Sequence, residues 1–154
     1  MSFQVTGLSP DIFAPLFGLS DDELKRHRAK RVTVRGPGYP ERIEMRDAEP
    51  GEVLLLVNYE HQPADTPYRA SHAIYVREGA TTTYSGADEL PEVMRKRLLS
   101  LRAFSEKHMM VDADVVDGET AIPVIERLFA NPKVAYIQAH YAKPGCFAAT
   151  IDRK

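Results

Sequence analysis

The chain has 154 residues, 44% of them hydrophobic and 27% charged, with a formal net charge of −2. This length suits a single domain over residues 1–154 with its own hydrophobic core, and the near-balanced charge supplies no global field to draw nucleic acid or an acidic membrane. No apolar run reaches transmembrane length, no charged leader precedes an apolar stretch, and the one cysteine, Cys146, lacks an internal disulfide partner; these features fit a cytoplasmic protein.

In chain order, Phe3 and Val5 suggest a short first strand. Ser9-Pro10-Asp11 reads as a helix start, with serine capping and proline in the first turn. Ser20 followed by Glu23 has the spacing of a capping box, so a helix is expected to run to about Ala29. Val32 and Val34 read as a strand stopped by Gly36-Pro37-Gly38. Ile43 and Met45 suggest another, stopped by Glu49-Pro50-Gly51. Val53 to Val57 (VLLLV) is continuously apolar and reads as a central strand buried on both faces. Ile74 and Val76 alternate with Tyr75 and Arg77 in a further strand.

Pro91 opens a short helix to about Arg97. Leu98 to Phe104 and Met109 to Val116 form a hairpin. A helix follows Asp117-Gly118, with Ile122, Ile125, Leu128 and Phe129 on one face. Asn131-Pro132 ends it. Val134 to Ala142 and Cys146 to Ile151 make a last hairpin around Pro144-Gly145. Short connections between strands indicate an α+β fold: a curved, mostly antiparallel sheet or open barrel of about seven or eight strands, with three or four short helices.

The stretch YEHQPADTPYRASHAIYVRE, Tyr59 to Glu78, carries the densest set of functional groups. It joins two apolar strands by a polar loop, and loops on rigid strands are where binding groups concentrate. Arg69 offers a planar fork for a carboxylate or phosphate; equally, it could lock the loop by bonding its carbonyls. Tyr59 and Tyr68 would wall a pocket, with Ser71 and His72 beside them. His61 shares a face with Tyr59 if the strand extends that far.

Two other places invite chemistry. In the 98–116 hairpin, joining the apolar faces places Ser100, Arg102, Asp112 and Asp114 on one polar face. That arrangement aims Arg102 at an anion, or simply makes cross-strand pairs on a solvated face. On the last hairpin, His140 shares a polar-aromatic face with Tyr136 and Gln138, as a general base facing a cleft or as a satisfied core histidine. With a two-residue turn, Lys143 faces Cys146, and Cys146 shares a face with Ala139 and Tyr141, away from His140. A small buried thiol beside a tight turn is the expectation for Cys146.

Several chemistries lack their signatures. There is no HExxH or CxxC, so no metal is assigned. DADVVDGE fails as a calcium loop, with its glycine one place late and Val116 at a ligand position. Glycine fingerprints for dinucleotides and the P-loop are missing, as is GxSxG, so no cofactor is assigned. The six lysines and arginines between Lys25 and Arg35 fit a helix C-terminus running into a solvated strand.

The phrases PLFGLSDDEL, DAEPGEVLLLVNYEH, PYRAS, LSLRAF, MVDADVVDG and HYAKPGCFAATIDR together resemble the domain of unknown function 1203 family, from Phe3 to Arg153. The resemblance implies a bacterial, single-domain protein and supplies no activity or catalytic residue. The chain departs from the family pattern at Glu41, where cysteine is frequent, and at Tyr141, where asparagine is. The first departure leaves Cys146 without a thiol partner, which weighs against a redox or metal role.

Taken together, the residues point to a small-molecule-binding domain, and one open to catalysis, with its pocket at the 59–72 loop. The expected partner is a small anionic molecule, held by Tyr59, Tyr68, Arg69, Ser71, His72 and Arg102, with His61 or His140 moving a proton. A homodimer is compatible; nucleic acid and membrane are not expected. The alternatives are a protein-interaction module using the apolar first helix (Ile12, Phe13, Leu16, Phe17) or an open strand edge, and an enzyme acting on a nucleotide or ADP-ribose-like substrate.

Overall fold

A computed structural model describes residues 2–154. Among these, eleven strands form two open sheets with three short α-helices, an α+β architecture with more strands than the sequence suggests. The six-stranded sheet contains, in order across it, β7 (Ser85–Ala87), β1 (Phe3–Thr6), β11 (Phe147–Arg153), β10 (Tyr136–Tyr141), β8 (Leu98–Phe104) and β9 (Met110–Asp117). The five-stranded sheet runs β2 (Ala29–Thr33), β5 (Val53–Gln62), β6 (Ala70–Arg77), β3 (Pro40–Glu41), β4 (Arg46–Asp47). Pairing is antiparallel except for one parallel bridge, Glu41 to Tyr75. Both sheets and α3 (Ala121–Phe129) feed one buried cluster that includes Val5, Leu55, Ile74, Leu101, Ile125 and Ile137. No helix among the described residues is long and apolar enough to cross a membrane.

Several local readings hold. Ser20 caps α1 (Asp21–Arg26) with the full capping box: its hydroxyl accepts from Glu23 N–H, and the Glu23 carboxylate accepts from Ser20 N–H. Leu54 and Leu55 are both fully buried, on opposite faces of β5, as a strand covered on both sides requires.

Other readings need correction. The first helix resolves into two 3-10 turns, Pro10–Ile12 and Ala14–Leu16. Helix α1 ends at Arg26 because Arg28 adopts a left-handed conformation (φ 55°) and turns the chain into β2. Ile43 and Met45 lie in a turn between β3 and β4, not in a strand. The Glu41 carboxylate accepts from the N–H groups of Ile43 and Glu44, and Met45 has φ 54°. A buried carboxylate thus folds back a segment whose alternation imitates a strand.

The β8–β9 register inverts the expected faces. Leu101 stands opposite Asp114 and Ala103 opposite Asp112, while Arg102 faces Ala113. β9 is a sheet edge and largely exposed, so burial pulls weakly on its register. Arg127 of α3 takes both carboxylates instead, at 2.5 Å to Asp114 and 3.7 Å to Asp112. Arg102 is left without either acid. The last turn is also longer than two residues: Tyr141 N–H donates to Cys146 O, and Gly145 N–H to Tyr141 O. Cys146 therefore sits across from Tyr141, and a bulge between Ala139 and His140 brings His140 opposite Phe147.

Candidate anion site and histidine cluster

A cavity of about 500 Å³ opens where the two sheets meet. The five-stranded sheet contributes Leu56, His72, Ile74 and Tyr75, and the β3–β4 turn contributes Arg42. The end of α2 (Glu92–Arg95) and the start of β8 bring Lys96, Arg97 and Leu98, and the β10–β11 turn brings Tyr141, Lys143, Pro144 and Cys146. Its walls are therefore aliphatic and aromatic, its charged groups are all cations, and no aspartate or glutamate lines it among the described residues.

Arg42 is the centre of this arrangement. It is 1% exposed, and its guanidinium donates to Phe147 O (2.8 Å), to Pro40 O and to Cys146 Sγ (2.9 Å). None of these partners is a carboxylate, so among the described residues the buried cation has no ion-pair partner, an arrangement that is costly unless an anion completes it. Arg97 and Lys96 differ. Both pair with Asp47 at 2.7 Å. Burial disfavours the charged form of Asp47, but the hydrogen bonds from Arg97 and Lys96 outweigh it and hold this carboxyl below its usual range.

The guanidinium carbons of Arg42 and Arg97 lie 5.1 and 5.3 Å from the centre of the Tyr141 ring, within cation–π range. Tyr141 is 3% exposed and its hydroxyl has no hydrogen-bond partner among the described residues. Burial pushes its pKa up to about 12, so it stays a neutral phenol with a proton to donate.

Beside the cavity, the end of β5 lies against β10 and β11. His61 and His140 meet there, ring centres 4.8 Å apart and nearly perpendicular. His61 also stacks on Phe147, whose ring is near Tyr59 as well. Gln138 clasps His61 from both ends: its amide N–H donates to His61 O (2.8 Å), and its carbonyl accepts from Nδ1 (3.1 Å). His140, wholly buried, donates from Nδ1 to Gly145 O (3.1 Å). That bond leaves Nε2 as a lone-pair acceptor, and it has no partner. Burial, and then the nearby Arg102 charge, push His140 down to about 3, so the ring is neutral; burial lowers His61 as well. Arg102 reaches no carboxylate among the described residues and donates only to Ser100 Oγ, at 3.3 Å.

Of the residues singled out from sequence, His61, His140, Tyr59 and Arg102 thus gather in one cluster, and His72 lines the adjoining cavity. The others lie apart. Arg69 pairs with Glu60 (3.1 Å) on the exposed hairpin, Tyr68 packs edge-on against Phe104, and Ser71 is exposed on β6. The 59–72 loop is short because β5 continues to Gln62. Arg42, Arg97, Lys96 and Lys143 escaped sequence reasoning, because only long-range pairing brings their three segments together.

A family model described as a protein of unknown function (DUF1203) matches residues 38–153. No curated protein and no solved structure matches the chain.

Proposed function

The chain belongs to the DUF1203 family, and from that premise we propose that it binds a small anionic molecule, a carboxylate or phosphate with an apolar body, in the cavity between the sheets. One observation carries the reading: the Arg42 guanidinium is buried, lines the cavity, and pairs with no carboxylate among the described residues. An incoming anion would supply that counter-ion, accept from the Tyr141 phenol, and be drawn in by Lys143 at the rim. The aliphatic wall of Leu56, Ile74 and Leu98 would take its apolar part. Relative to the pocket expected at the 59–72 loop, this site keeps His72 and replaces Arg69 with Arg42 as the anchoring guanidinium.

The test is a thermal-shift series with inorganic phosphate, sugar phosphates, nucleotides and small carboxylates. A ligand bound only by the folded state raises the melting temperature by mass action. The expected result is a rise with one anionic class that shrinks in Lys143→Glu. No rise with any class contradicts the reading.

A second reading, proton transfer at the histidine pair, is favoured by the unpartnered Nε2 of His140. It predicts that His140→Gln retains anion binding and loses any turnover of the bound molecule.

A further inference from the structure

We propose that Cys146 is a nucleophile toward carboxylate-bearing electrophiles held in the inter-sheet cavity, an inference that rests on the anion-binding reading of that cavity. The sulfur is placed with little freedom. The Tyr141 N–H to Cys146 O bond and the Gly145 N–H to Tyr141 O bond fix the turn beneath it, and Cys146 is 7% exposed. Its side chain lines the cavity, so small molecules reach it by the route an anion takes.

The surroundings of the sulfur are not those of an inert apolar thiol. Arg42 Nη2 lies 2.9 Å from Sγ. A guanidinium has no acceptor, so the sulfur accepts in this contact and a cationic donor faces it. Nε and Nη1 of Arg42 donate to Phe147 O and Pro40 O, which keeps the guanidinium in place and leaves one N–H on each terminal nitrogen for a ligand. An independent observation points to a ligand beside it: Tyr141 lines the same cavity, and its buried hydroxyl has no partner. Cation, phenol and sulfur together make a site where a carboxylate is held while a neighbouring carbon meets Sγ.

The step is an alkylation. The Cys146 thiol loses its proton to solvent, and the sulfur pair attacks the electrophilic carbon. With an α-halo carboxylate, the S–C bond forms as the carbon–halogen bond breaks, and halide leaves with its electron pair. With an α,β-unsaturated carboxylate, the S–C bond forms at the β-carbon, the π pair moves to the α-carbon, and that carbon takes one proton from solvent. Neither route needs an oxidant or reductant.

Iodoacetate and iodoacetamide, near-isosteric and differing in charge, provide the test. The chain has one cysteine, so mass gained by wild type and not by Cys146→Ser reports Cys146. Alkylation rates are measured for both reagents on the folded full chain and on the same chain in denaturant. The expected result is a preference for iodoacetate over iodoacetamide about tenfold or more above that of the denatured chain. Tyr141→Phe and Lys143→Glu should each return the ratio toward the denatured value, and Cys146→Ser should abolish labelling. A folded chain that resists both reagents, or shows the denatured chain's ratio, overturns the proposal. If anions still raise the melting temperature in that case, only the nucleophile assignment fails; if they do not, the cavity reading fails with it.

Discussion

Arg42 and Cys146, 104 positions apart in the chain, touch through Nη2 and Sγ at 2.9 Å. The contact ties the β3–β4 turn of one sheet to the β10–β11 turn of the other. Arg42 reinforces it by donating to Phe147 O. The seam between the sheets is thus closed by a cation that pairs with no carboxylate among the described residues. An anion that fills the cavity should strengthen this seam as well as bind to it.

Tyr141→Phe separates folding from binding. A buried hydroxyl without a partner costs roughly 1–3 kcal/mol, so its removal should stabilise the free protein. For a chain of this length each kcal/mol is worth about 2–4 °C, readable by scanning calorimetry. The melting temperature should rise while anion affinity falls. A lower melting temperature would mean that the phenol is bonded within the protein.

His140 should make the protein acid-sensitive well above the carboxylate range. Its pKa falls from 6.5 in the unfolded chain to about 3 in the folded one. Between those values the unfolded chain holds the extra proton. Stability is therefore full above pH 6.5 and falls as pH drops toward 3, by about 1.4 kcal/mol per unit at its steepest. Urea titrations at about pH 7.5 and about pH 5 should differ by about 2 kcal/mol. In His140→Gln the difference should shrink, with His61, lowered by burial as well, supplying the remainder.

Glu52 sets a second, lower limb. Hydrogen bonds from Arg46, both at 2.7 Å, pull it down to about 2 from 4.5. Its contribution is present above pH 4.5 and is lost as pH falls toward 2. Because the pair is partly solvated, the effect should shrink with salt. Glu52→Gln should make the acid limb below pH 4.5 shallower and leave the His140 limb intact, as circular dichroism melts against pH would show.

Gly118→Ala tests how the cavity's cations are positioned. A Cβ on Gly118 would lie 1.9 Å from Met94 O, and Gly118 N–H donates to Arg97 O. The substitution must push α2 away from the end of β9. A loss of about 1–3 kcal/mol is expected by urea denaturation, and Arg97 would shift with the backbone, so anion affinity should fall too.

Arg69→Ala should do little. Its pair with Glu60 is half exposed, and such pairs contribute about 0–1 kcal/mol. Fold and anion binding should both survive. Loss of binding would return the pocket to the 59–72 loop.

The difference between Arg69 and Arg42 also marks how far the sequence could be read. Local signals were legible where local physics decides: the Ser20–Glu23 box, the doubly buried VLLLV strand, the helical face of Ile125 and Leu128. They failed where a long-range partner decides. Ile43 and Met45 alternate like a strand, yet the Glu41 carboxylate bends them into a turn. The β9 register follows Arg127 of α3 rather than burial. His61 and His140 were identifiable singly, as histidines on polar-aromatic strand faces, but their meeting depends on how the end of β5 crosses β10. Arg42 carries no local signal, because what distinguishes it is the absence of an acid across a seam between two sheets.

The most direct test of the anion site is calorimetric titration of the anion giving the largest thermal shift, into wild type, Lys143→Glu and Tyr141→Phe. The account predicts one binding event in wild type, weakened about fivefold or more in each variant, a difference of about 1 kcal/mol or more. Equal affinity in all three, or no heat of binding in wild type, would contradict it.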